Sequence, residues 1–221
     1  MTALRRALSV KEALAMRKDV FPFEGPWADA FGQPERCGVW FIWGNSGNGK
    51  SSFVMQLCKE LCRYCHVAYN SLEEAASLTM QQSLLRHGMM DVNRRFVLLC
   101  ESVEELKARL RRRKSPEVVV IDSFQYTGMT YRDYITLKEA FRDKLFIFIS
   151  HAGGASPRGA AAVSVMYDAT LKVWVEGYKA FSKGRFIGPT GEYTIWEQGA
   201  CAYWGRKEIP EAPPAPHPCG G

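Results

Sequence analysis

The sequence predicts an α/β fold: a mostly parallel central sheet flanked by helices, with antiparallel hairpins extending it toward the C-terminus. Two observations carry this. Between residues 39 and 150, short apolar runs alternate with stretches of helical periodicity, the pattern of a doubly wound sheet. The apolar runs are continuous rather than alternating, as strands covered on both faces require. After residue 168 the style changes to short strand-like segments separated by glycines, which suits hairpins.

The strands are expected at Val39–Trp43, Val67–Asn70, Phe96–Leu99, Val118–Asp122 and Leu145–Ser150. Ser51–Tyr64, Glu74–Arg86, Val103–Arg113 and Thr130–Asp143 read as the helices between and after them. Leu171–Glu176, Tyr178–Lys183 and Tyr193–Trp196 read as hairpin strands, with turns at Gly177 and Gly188–Gly191. Residues 1–36 form a lead-in, in which Val10–Lys18 suits a short helix and Pro22, Pro26 and Pro34 interrupt regular structure. Residues 206–221 read as a flexible tail, with five prolines from Pro210 onward, so that one domain spans 37–205.

The chain has 221 residues, 47% of them hydrophobic and 24% charged, which suits one α/β domain and is too little for two large ones. Its net charge of +6 permits a polyanionic partner without requiring one. The N-terminal stretch is amphipathic rather than signal-like, and no apolar run is long enough to span a bilayer. Seven cysteines, an odd number without disulfide-framework spacing, suit reduced thiols. A cytoplasmic protein away from membranes is the expectation.

The run Gly44-Asn45-Ser46-Gly47-Asn48-Gly49-Lys50-Ser51 fits G-x-x-x-x-G-K-[ST] and lies between an apolar strand and a helix, with Ser52 next along. Glycines let backbone N–H groups converge on phosphate oxygens, and the helix N-terminus adds partial positive charge. Lys50 would reach the β- and γ-phosphates of ATP, and the Ser51 hydroxyl would ligate Mg²⁺. Asp122 ends an apolar strand, where ligands sit in open α/β sheets, and would help hold the same ion. Glu73 and Glu74 follow the second strand. Either carboxylate could polarise an attacking water; equally, both could be first-turn acids of a helix.

The order P-loop, Ser71-Leu72-Glu73-Glu74, Val120-Ile121-Asp122-Ser123-Phe124-Gln125, Ile149-Ser150-His151 and Lys183-Gly184-Arg185-Phe186 resembles the RecA superfamily. Within it, the chain is most similar to the ATPase cores of RadA branch-migration proteins and DnaB-type helicases, over roughly residues 38–198. The resemblance implies that Glu73 is the catalytic glutamate and His151 the sensor ending the fourth strand of the core. It also implies that Lys183 and Arg185 reach a neighbouring subunit's ATP, in a ring or filament of identical copies. The zinc finger, protease-like domain and N-terminal helical domain of those relatives are not present, which reads as a stand-alone core of the kind found in phages and mobile elements.

The resemblance places DNA-binding loops at Phe124–Arg132 and His151–Tyr167. The first offers Tyr126, Tyr131 and Arg132 for stacking and phosphate contact; the second, glycine-rich and read as mobile, offers Arg158. The basic run Arg109–Lys114 lies at a helix C-terminus, where cations suit the dipole and solvent, and is read as structural. Cys58, Cys62 and Cys65 have a metal-like spacing but share one helical face, which favours packing against the sheet over ligation. The expected function is an ATPase acting on DNA, with single-stranded DNA the expected partner, in recombination, repair or replication. A nucleotide-switched regulatory or assembly protein without DNA is the alternative.

Overall fold

A computed structural model of the chain describes residues 6–205, so the proline-rich tail lies outside the described residues. The lead-in begins with α1 (Val10–Ala15), capped by Ser9 and Glu12 in a reciprocal box, with none of its residues buried. Next comes α2 (Pro26–Phe31), absent from the sequence reading, which took Pro26 as a breaker. Proline at the first helical position costs no hydrogen bond, because that N–H has no intrahelical partner, and its fixed φ starts the helix. From residue 20 onward the lead-in joins the core: Phe21 packs edge-on to Trp40, and Phe31 lies 5.9 Å from Phe53.

β1 (Gly38–Gly44) leads into α3 (Lys50–Leu61), β2 (Val67–Ser71), α4 (Leu78–Arg86), β3 (Phe96–Leu99), α5 (Val103–Leu110), β4 (Val118–Asp122) and α6 (Tyr131–Ala140). β5 (Leu145–Gly153) and the two-residue β6 (Ser156–Pro157) are followed by α7 (Ala160–Asp168). β7 (Leu171–Glu176), β8 (Lys179–Ser182), β9 (Glu192–Thr194) and α8 (Glu197–Trp204) complete the described chain. The sheet order is β3-β2-β4-β5-β1-β7-β8-β9. The strands from β3 to β7 pair in parallel, and β8 and β9 add antiparallel.

Successive side chains of the central strands enter opposite cores, which is why those strands read as unbroken apolar runs. Trp40, Ile42, Val120 and Ile147 face the layer of α2, α3 and α4. Val39, Phe41, Val119 and Phe146 face the layer of α5, α6 and α7. No described helix is long and apolar enough to cross a membrane.

The segment read as a mobile loop, His151–Tyr167, is instead ordered structure. β5 continues to Gly153, Ser156–Pro157 turns back onto Ala152 and Gly153, and α7 follows. The Ala-rich run after Gly159 has strong helical preference and buries Ala162 and Val165, so tertiary packing completes what the glycines alone did not suggest. α8 was also missed; its Gly-Ala-Cys-Ala stretch gives little amphipathic signal.

Candidate nucleotide site

β1 delivers Gly44 to the C-terminal edge of the sheet, level with His151, two residues before the end of β5. A β-carbon on Gly44 would fall 2.3 Å from the Val175 carbonyl oxygen, so only glycine fits beside β7. Gly47 and Gly49 hold φ of 80° and 90°, the left-handed region that glycine enters without strain. No side chain caps α3, leaving its first-turn N–H groups to the loop above them. The hairpin between β7 and β8 braces that loop. The Gly177 N–H donates to Asn48 Oδ1 at 2.8 Å, and the Tyr178 N–H to the Asn48 carbonyl at 3.1 Å. The Asn48 side chain is thus committed within the protein, whereas Asn45, Ser46 and Ser51 are exposed.

Asp122 sits one strand beyond β5, paired in register with Ser71 of β2. The buried Tyr69 hydroxyl donates to Asp122 Oδ2. Burial raises the Asp122 carboxyl above the usual carboxylate range; the Tyr69 hydroxyl and Lys50 pull it down, and Glu73 and Glu74 push it up. These groups therefore share one electrostatic neighbourhood. The Ser51 hydroxyl and the Asp122 carboxylate are hard oxygen donors and fit Mg²⁺, which when bound would neutralise phosphate charge.

Glu73 and Glu74 do not lie in a helix. α4 starts only at Leu78, capped by Ser77, and the two acids occupy a bend after β2. Two open readings of this pair therefore part here: they are not first-turn acids. Glu73 Oε2 lies 3.4 Å from His151 Nε2, which is also 3.4 Å from the Ser123 hydroxyl. Glu74 Oε2 accepts from the Thr79 hydroxyl at 3.0 Å, which commits it to the start of α4. Glu73→Gln is expected to keep Mg·ATP binding and to lower single-turnover hydrolysis by ~10²–10⁴-fold, the worth of a general base. Glu74→Gln should do less; a larger loss at Glu74 would move the base by one residue.

No protein-family model matches the sequence, and no curated protein does. Solved structures do match its shape. The flagellar accessory protein FlaH of Methanocaldococcus jannaschii superposes with a TM-score of 0.56 at 15% identity, covering 80% of this chain and 92% of that one. A KaiC-like protein of Pyrococcus horikoshii gives 0.50 at 14% identity, over 72% of this chain and 89% of its own. The fold is RecA-like. At such identities the likeness carries the architecture, and the roles of individual residues rest on the geometry.

In this RecA-like frame His151 connects onward. Its backbone N–H approaches Gln125 Oε1 at 3.4 Å, and Gln125 Nε2 donates to the Ser150 hydroxyl at 2.8 Å and to the Arg158 carbonyl at 2.9 Å. The Arg158 N–H returns to the His151 carbonyl at 2.9 Å. Gln125, Tyr126, His151 and Arg158 line one cleft of about 290 Å³. Two of the four residues expected to touch DNA, Tyr126 and Arg158, are thereby brought together beside the phosphate end of the site. Tyr131 and Arg132 are not; they sit on the first turn of α6, because Thr130 and Asp133 form a capping box that ends the loop early. Gln125, which the resemblance quoted without a role, is the residue that sequence reasoning passed over.

Lys183 and Arg185 open the connection between the antiparallel strands β8 and β9. That connection lies at the end of β8 away from the Gly177–Tyr178 turn under the P-loop, and the Lys183 and Arg185 N–H groups donate to the Lys172 and Thr170 carbonyls of the β7 segment. A β-carbon on Gly184 would lie 2.7 Å from the Lys172 nitrogen, so the chain hugs β7 here and both side chains point outward, exposed. They are remote from their own P-loop.

Cys58, Cys62 and Cys65 are buried in the core between α3 and the sheet. Burial pushes the Cys62 thiol up to about 12 and the Cys65 thiol to about 11, which keeps them neutral packing groups. Arg109 is paired with Glu101, and the basic run after it forms the turn before β4, at the edge of the sheet opposite the site.

Proposed function

We propose that this chain is a Mg²⁺-dependent ATPase that acts on single-stranded DNA in recombination, repair or replication, as a ring or filament of identical copies. The observation that carries the reading is the continuous path from Glu73 through His151 and Gln125 to the Arg158 segment. One end of that path faces the P-loop, and the other lines a cleft with an exposed tyrosine and an exposed arginine.

In this reading Lys50 and the loop N–H groups hold the β- and γ-phosphates, while Ser51 and Asp122 hold Mg²⁺. Glu73 takes a proton from the attacking water. His151 positions the Glu73 carboxylate and registers whether the γ-phosphate is present. A change at His151 is transmitted through Gln125 to Tyr126 and Arg158, which offer a base a ring to stack on and a phosphate a cation.

The reading predicts that single-stranded DNA raises the rate of phosphate release, and that Arg158→Ala lowers that stimulation while leaving the DNA-free rate near the wild-type value. A steady-state phosphate assay with and without oligonucleotide decides it. A rate indifferent to DNA would favour the regulatory, DNA-free alternative on the same fold.

A further inference from the structure

The meander of β7, β8 and β9 buries one face and leaves the other partly open. Val173, Val175 and Ala180 enter the core, whereas Trp174 and Phe181 stand on the opposite face and are only half-buried. Trp174 pairs in register with Phe181, and Phe181 with Glu192, so the three form a row across the strands. α8 closes one side of that row with Trp204, whose ring meets Phe181 edge-on at 5.8 Å. The result is a groove of about 790 Å³ that runs from Trp174 to Gly205, the last described residue. Trp174 and Lys183 also line a second cavity, of about 400 Å³, that reaches Tyr167. We infer that this groove is the docking site of the chain's own segment Pro210–Pro218.

The sequence of that segment, Pro-Glu-Ala-Pro-Pro-Ala-Pro-His-Pro, carries a period of three. Pro210, Pro213 and Pro216 recur at the repeat of a polyproline II helix, which has three residues per turn, so in that conformation all three share one edge. Segments of this kind bind grooves lined by aromatic side chains, because the preformed helix has little entropy left to lose.

The groove has the matching parts. Trp204 is 47% exposed but held from behind, its Nε1 donating to the Gly177 carbonyl at 3.0 Å. Trp174 and Phe181 lie 5.8 Å apart on the floor. Rigid aromatic walls give up little freedom when a ligand settles on them. Lys183 lies over the Trp174 ring at 5.6 Å and pairs with no carboxylate among the described residues. Glu208 and Glu211 flank the first proline of the run and bring the opposite charge. The chain's own segment is also the best-placed occupant. Residues 206–209 separate Gly205 from Pro210, and at ~3.3 Å each they span roughly 13 Å, enough to turn back over the groove. So short a link holds the segment at an effective concentration on the order of millimolar.

The test reads Cys201, which is exposed and lines the groove, by its alkylation rate in the full chain, followed by mass spectrometry. Cys100, exposed after β3 at the far edge of the sheet, is the internal control. At that effective concentration an intrinsic affinity of roughly 0.1 mM fills the groove about nine-tenths of the time and slows Cys201 alkylation roughly 10-fold. Pro210→Ser combined with Pro213→Ser and Pro216→Ser should restore the fast rate at Cys201 and leave Cys100 unchanged. Pro214→Ser with Pro218→Ser, off that edge, should keep the protection. A labelled peptide of residues 208–218 should bind the triple variant, and the wild type about 10-fold more weakly, because there the groove is already filled. Equal Cys201 rates in wild type and triple variant, or equal loss from both sets of proline substitutions, overturns the assignment. So does a peptide that fails to bind the triple variant. Protection that fades on dilution puts the segment on a second copy and overturns docking within one chain.

Discussion

Arg185→Ala is expected to slow ATP turnover by ~10³–10⁵-fold while leaving its own P-loop able to bind Mg·ATP, because a cationic finger supplied in trans is worth that much in phosphoryl transfer. In the proposed site Lys50, Mg²⁺ and the loop N–H groups would compensate only part of the charge that develops on the γ-phosphate. Within one chain Arg185 cannot supply the rest. Its backbone pairs with Thr170, which pairs with Val39, five residues before Gly44 along β1. At ~3.3 Å per residue the Arg185 backbone lies roughly 16 Å below Gly44 along the strand direction. In an assembly the same exposed position can face a neighbour's site. Hydrolysis should then rise more than linearly with protein concentration. Mixing Arg185→Ala with Lys50→Ala should restore activity, since an intact P-loop meets an intact finger. A mixture as inactive as its components, with co-assembly shown by sedimentation, would remove Arg185 from the mechanism.

The fold was legible where periodicity is a local property. The five parallel strands from β1 to β5 and the helices α3 to α6 follow from unbroken apolar runs and 3.6-residue spacing, with ends that shifted by a few residues where caps such as Ser77 took over. What stayed hidden depends on contacts far apart in sequence. α2 is held by Trp27 stacking on Tyr193 at 4.2 Å, and α7 adds burial against the sheet to its local helical preference; neither contact can be read within the segment itself. The site divides in the same way. The P-loop and Asp122 announce themselves by motif and strand end. Choosing between Glu73 and Glu74 took the position of His151, and the disposition of Lys183 and Arg185 took the register of β8 on β7.

Lys50→Ala is expected to abolish Mg·ATP turnover with the fold intact. Lys50 opens α3 beside Asp122, is only part-buried, and belongs to neither core cluster. Its loss would remove the cation proposed to meet the phosphates at the helix N-terminus and costs no apolar packing, so circular dichroism and melting should stay close to wild type. The measurement that bears most directly on the whole account is a calorimetric titration of both proteins with Mg·ATP. The account predicts one bound nucleotide per chain for the wild type and none for Lys50→Ala at the same concentrations. Equal binding by the two proteins, or no binding by the wild type, would contradict it.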